Sequence, residues 1–151
     1  MKRIGKIVGV VALTLLFLGT MFLVTAPRVN DASAGKIQKE LEISPLPENT
    51  ELVEGVSKAG KLTGNGNGMQ FFGAILIKSD LSLEELNDYY SAYRKHEDDC
   101  IVNMQNGQKV ELIEHGTLEF LAEVIEGEQY YIVYSWGEGM APFNEFDLRG
   151  H

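Results

Sequence analysis

At 151 residues with a single cysteine, the chain has room for about one domain and cannot form an internal disulfide. Three of its 13 basic residues precede a long uncharged run and all 22 acidic residues follow it, so the part beyond the run carries a formal charge of −12. That charge repels nucleic-acid phosphates and anionic head groups and excludes nucleic acid as a partner.

Lys2, Arg3 and Lys6 form a basic start, and Ile7 to Ala26, IVGVVALTLLFLGTMFLVTA, contains no charge. As a helix this run is about 30 Å long, the thickness of a bilayer's hydrocarbon core. Residues 1–26 therefore read as an N-terminal membrane anchor or signal segment, with residues 7–26 in contact with the membrane. A signal-peptide core is shorter, about 7–15 residues. Ala32-Ser33-Ala34 has the small-x-small form of a cleavage site but lies past the run. An uncleaved anchor fits the length better, and a cleaved signal would release a secreted domain. Basic residues before the run keep the N-terminus inside, so the domain is expected to be extracytoplasmic at the cell membrane. Cys100 lies far from the run, which excludes a lipid-modified cysteine beside it.

Residues 27–49, PRVNDASAGKIQKELEISPLPEN, read as a linker, a mobile spacer lifting the domain off the membrane; the alternative is a short helix with Ile37 and Leu41 on one face, stopped by Pro45 and Pro47. The α+β domain is expected over 50–136. Residues 50–62 read as a weak or bulged strand and 69–78, MQFFGAILIK, as a strong one. Between them lies the loop Gly64-Asn65-Gly66-Asn67-Gly68. Phosphate-cradling loops need a helix N-terminus after them, and a strand follows here. Gly and Asn accept positive φ cheaply, which suits a tight connection between antiparallel strands. A loop so rich in backbone N–H groups is also a candidate nest for an anion or peptide carboxylate.

Ser82 and Glu85 form a capping box, with Leu81 and Leu86 as its hydrophobic staple. Leu83, Leu86, Tyr90 and Tyr93 share one face of an amphipathic helix expected over 83–96. His96-Glu97-Asp98-Asp99-Cys100 holds ligand types but no ligand spacing, and a solvated helix end accounts for it, so neither metal nor cofactor is assigned. Cys100 and His115 make a conceivable nucleophile and base without any local signature. No residue is assigned a catalytic role.

Asn106-Gly107 marks a turn between strands 100–105 and 108–114, and Glu126-Gly127-Glu128 one between strands 118–125 and 129–136. The tail 137–151 lacks periodicity, with Phe143, Phe146 and Leu148 placed to pack back on the domain. The order is β-β-α-β-β-β-β, an α+β fold with a mostly antiparallel sheet. Its strands 71–78 and 129–136 are apolar on both faces, more than one short helix can cover. The second face, with Phe72, Leu76, Tyr131 and Val133, is thus a candidate interaction face for a homodimer or protein partner, unless the chain covers itself. Tyrosines in such strands also raise stacking on glycans, though core or interface roles are commoner.

The stretches SPLPENTEL, GKLTGNGNGMQFFGAILIKSDLSLEELNDYY and EQYYIVYSWG resemble a group of short, membrane-anchored, functionally uncharacterised surface proteins of Gram-positive bacteria. The resemblance implies an anchored surface domain and carries over no catalytic or binding residues. Two functions stand at this point. One is a single-pass protein with a non-enzymatic binding domain. The other is a cell-envelope hydrolase or modifying enzyme using carboxylates or Cys100 and His115.

Overall fold

The computed structural model describes residues 2–137 and 144–151. Helix α1 spans Lys2–Ile43 without a break, so it is about 63 Å long. Its first half is an exposed apolar cylinder, with Ile7 64%, Leu13 69% and Phe17 62% exposed. By length and composition this half is able to cross a membrane. Two of its threonines satisfy their hydroxyls within the helix. Thr14 donates to the Val10 carbonyl at 2.9 Å and Thr20 to that of Leu16 at 2.8 Å, as a side chain in hydrocarbon must.

The spacer expected over 27–49 is a correction. Residues 27–43 are helix, and only beyond Ile43 does the chain leave it, ahead of Pro45 and Pro47. Pro27 sits inside the helix and removes one amide donor, but the tertiary contacts on both sides hold the helix continuous. Ala26, Asn30, Ala34 and Leu41 are buried, with Ile37 half-buried between them. That spacing is one helical face. Two alanines and an asparagine hide it from a search for large apolar residues.

Four strands form the sheet: β1 Thr50–Gly60, β2 Gln70–Ser79, β3 Ile101–Met104 and β4 Tyr130–Trp136. Their order is β1-β2-β4-β3, every pair antiparallel. The irregularity expected in β1 is a register shift between Leu52 and Glu54. The strands expected at 108–114 and 118–125 do not form, and Lys109 and Glu119 make only an isolated bridge. Their apolar residues serve instead as a lid. Val110, Ile113 and Phe120 are buried against Phe72, Ala74, Leu76, Tyr130, Ile132 and Tyr134 on one sheet face. The opposite face carries Ile75, Ile77, Tyr131 and Val133, covered by Leu41 of α1 and by Leu86 and Tyr90 of helix α2, Leu83–Ser91. Phe71 and Ala59 continue it under Ala34, with Ile37 alongside.

The candidate interaction face is therefore corrected in two ways. Leu76 pairs with Ile132 and Ile77 with Tyr131, so Phe72 and Leu76 lie on one face while Tyr131 and Val133 lie on the other. All four are at most 2% exposed. The apolar excess of the strands is covered by the chain itself, by α1 and α2 on one side and residues 105–129 on the other.

α1 reaches the sheet because β2 has no side chain beneath it at Gly73. A Cβ built there would collide with the backbone nitrogen of Gln38 and lie 2.8 Å from Ile37 Cβ. The glycine of FFGAILIK is thus a docking groove for the helix.

The capping box of α2 forms as expected. The Ser82 amide donates to Glu85 Oε2 at 2.8 Å and the Glu85 amide to Ser82 Oγ at 3.3 Å. These bonds from Ser82 hold the Glu85 carboxyl below its ordinary pKa. The helix ends at Ser91, before the expected 96, with Ala92 as its cap. Ser82→Ala is expected to lower stability by about 1 kcal/mol in urea melts, and an unchanged midpoint would show that tertiary packing alone sets this helix.

Candidate functional site

The last turns of α1, the segment after α2 and the adjoining ends of β2 and β4 enclose a cleft of about 820 Å³. Ile37, Leu41, Phe71 and Trp136 supply its apolar wall, and Glu40, Tyr93, Lys95, His96 and Asp99 its polar rim. Lys95 Nζ lies 3.4 Å from Glu40 Oε2 across the rim, with both side chains about 70% exposed, so this pair adds little to stability. Tyr89 and Tyr93 stand 5.5 Å apart beside it. Tyr89 donates to the Pro45 carbonyl at 2.9 Å. Its hydrogen bond with the Tyr93 hydroxyl, helped by burial, pushes its pKa up to about 12.

Cys100 lies at the back of this cleft with φ of 49°, a conformation uncommon outside glycine. Its amide donates to Ser135 Oγ at 2.9 Å. Burial raises the thiol's pKa above its ordinary value, which keeps it protonated at neutral pH and a poor nucleophile. His115 is on the far side of the sheet. Its neighbour Ile113 belongs to the Phe72 face and Cys100 to the Ile75 face, and its Nε2 lies 2.7 Å from the Gly64 carbonyl oxygen. The conceivable nucleophile and base are not brought together. His96, Asp99 and Cys100 share the cleft, but among the described residues no group of three or more His, Cys, Asp or Glu is arranged to hold a metal ion.

The glycine loop lies between the antiparallel strands β1 and β2 as expected, but the connection is a long loop over 61–69 and not a tight turn. Gly64, Asn65, Gly66, Asn67 and Gly68 are exposed, and Gly64 has φ of 74°. Several of the amides in and beside it meet acceptors of the chain itself. The Gly64 amide donates to Glu114 Oε2 at 2.8 Å and that of Gly68 to the Gly150 carbonyl at 2.7 Å. The Leu62 and Thr63 amides share Gln70 Oε1. The carboxylate held by this loop is thus the protein's own Glu114. Tyr130, Tyr131 and Tyr134 are at most 7% exposed, so they are core residues and offer no platform for sugars.

A polar cluster beneath the domain was invisible in the sequence. The side chain of Asp147 is fully buried and accepts from Asn30 Nδ2 at 2.9 Å and from Arg149 Nη2 at 2.7 Å. Arg149 also reaches Asp31 Oδ1 at 2.8 Å and the Pro27 carbonyl at 3.0 Å. The C-terminal segment is thereby clamped to α1 just past the apolar run. Its partners are more than a hundred positions apart, and no local pattern could announce them. The Arg149 guanidinium, opposed in part by burial and helped by Asn30, holds the Asp147 carboxyl at a pKa of about 2.

The consequence for stability has a definite sign. The unfolded carboxyl titrates near 4. Because the folded value is lower, the contribution is fully present above about pH 5 and lost as pH falls through the window from about 4 to about 2. It amounts to about 2 kcal/mol at most, trimmed by the exposure of Arg149. Urea melts between pH 5 and pH 2 should show the loss, and Asp147→Asn should flatten it.

Compared with protein-family models, curated proteins and solved structures, the chain finds no match.

Proposed function

We propose that this is a single-pass membrane protein that holds a small, non-enzymatic α+β domain rigidly on the extracytoplasmic face of the membrane and offers the cleft at the end of α1 as its binding surface. The observation that carries this reading is the continuity of α1. Its exposed apolar half and its domain-packed half are one helix. Cleavage after Ala34 would cut that helix in the middle of its packed face and remove Asn30 and Asp31, the partners of Asp147 and Arg149. The uncleaved anchor is favoured for that reason. The basic N-terminus supports an outward-facing domain. The resemblance to Gram-positive surface proteins agrees with this placement. Binding is favoured over catalysis because Cys100 is a buried neutral thiol and His115 lies across the sheet.

The test is alkaline carbonate extraction of membranes carrying the full chain with a C-terminal tag, combined with protease treatment of intact cells. The full-length protein should stay in the membrane pellet and lose its tag to external protease. A shortened chain in the medium, or a tag protected until the cells are broken, would contradict the reading.

A further inference from the structure

The C-terminal segment carries the second feature of the chain that bears on the membrane. Phe22 is less exposed than its neighbours on the apolar run, 39% against 51% at Met21 and 51% at Leu23. The 3-10 turn Asn144–Phe146 covers it. The Phe146 ring stacks on Phe22, centroids 5.4 Å apart. Phe22 lies four residues before the end of the uncharged run, about 6 Å inside it along the helix. A domain residue is therefore seated at a depth that belongs to the bilayer. Phe146 remains 50% exposed and Leu148, in the next 3-10 turn Leu148–Gly150, 75% exposed. The expectation that Leu148 packs back on the domain fails, and Phe143 lies outside the described residues.

An exposed Phe at this height has an evident solvent in lipid, and the exposed Leu148 follows it between residues tied to Pro27, Asn30 and Asp31, just past the run. Interfacial elements bury apolar side chains about 5–10 Å into the boundary between head groups and acyl chains. The segment is also built to hold them there. Asp147, between the two turns, is locked by Asn30 and Arg149, and Arg149 by Asp31 and the Pro27 carbonyl. The Gly150 carbonyl further accepts from the Gly68 amide, and that of Arg149 from the Lys61 amide. Arg28 is an exposed basic residue at head-group level, while the charge of Arg149 is matched by Asp147 and Asp31, on a domain whose net charge disfavours an anionic surface. The contact is apolar first.

We infer that Phe146 and Leu148 form a second membrane contact, an interfacial wedge that inserts into the outer leaflet beside α1 and fixes the tilt of the domain. This rests on the anchored reading above. The wedge adds a second attachment point, so the domain cannot swing about the end of the span.

Depth-dependent fluorescence quenching tests it on the full chain in phosphatidylcholine vesicles with bromines at shallow acyl positions. In a Trp136→Phe background, three variants each carry one tryptophan: Leu148→Trp, Phe17→Trp within the run, and Ile43→Trp at the far end of α1, about 25 Å beyond Ala26. Leu148→Trp should be quenched by the brominated lipid to an extent comparable with Phe17→Trp and shielded from aqueous iodide. Ile43→Trp should show the reverse. If Phe17→Trp is quenched while Leu148→Trp behaves like Ile43→Trp, the wedge is wrong and the anchor stands. If none is quenched, the anchored reading fails and the wedge with it.

Discussion

A chain that starts at Thr50, where the sheet begins, is expected to aggregate or remain unfolded, whereas one that starts at Ala26 folds as a soluble monomer. The shorter chain contains all four strands and α2. It lacks Ala34, Ile37 and Leu41, which cover Ala59, Phe71, Ile75 and Ile77. Uncovering a large apolar side chain costs about 1.5–3 kcal/mol, and three such residues lose their cover. Asp147 and Arg149 lose Asn30, Asp31 and the Pro27 carbonyl as well. The combined loss is about 5 kcal/mol or more, comparable with the whole stability of a small domain. Size-exclusion chromatography and thermal melts of the two chains provide the check. A cooperative, monomeric 50–151 chain melting at the same temperature as 26–151 would show that the distal half of α1 is dispensable.

Gly73→Val is expected to destabilise the same 26–151 chain by about 3 kcal/mol or more, since overpacking a filled interface forces backbone shifts. The effect is steric. Gly73 has an ordinary strand conformation, and the new side chain would meet the Gln38 backbone nitrogen and Ile37. A comparison with Gly137 isolates this cause. A Cβ at Gly137 approaches the Ile37 Cδ1 at 2.7 Å, the end of a side chain that can turn away, and Phe71 Cβ at 3.0 Å, a tight contact but no backbone collision. Gly73→Ala should therefore cost clearly more than Gly137→Ala in urea melts. Equal costs would mean that α1 yields readily and is not packed on β2 as described.

Local chemistry made much of the fold legible. The apolar run, the Ser82–Glu85 box and the strands at 50–60, 70–79 and 130–136 each carry their own signal. The failures share one cause: their information is non-local. Val110, Ile113 and Phe120 have strand-like surroundings in sequence, yet they are needed as a lid over Phe72 and Leu76. The face assignment of Tyr131 and Val133 depended on a register between β2 and β4, where a shift of one residue exchanges the faces. The distal half of α1 was obscured because beside Ile37 and Leu41 its contact surface is made of Ala26, Asn30 and Ala34, small or polar residues of which Asn30 meets Asp147 and Ala34 packs on Ala59 and Phe71. Of the candidate site, the glycine loop was legible as a connection between antiparallel strands. The cleft around Cys100 was not, because Ile37, Phe71, Tyr93 and Ser135 meet only after folding.

Amide hydrogen exchange of the full chain in lipid vesicles, followed over residues 27–43, tests the central claim most directly. If the span and the domain are one rigid helix, these amides are protected to the level of β2. Exchange over 27–43 at the rate of an unstructured peptide, with β2 still protected, would mean that a flexible tether joins them and that the account is wrong.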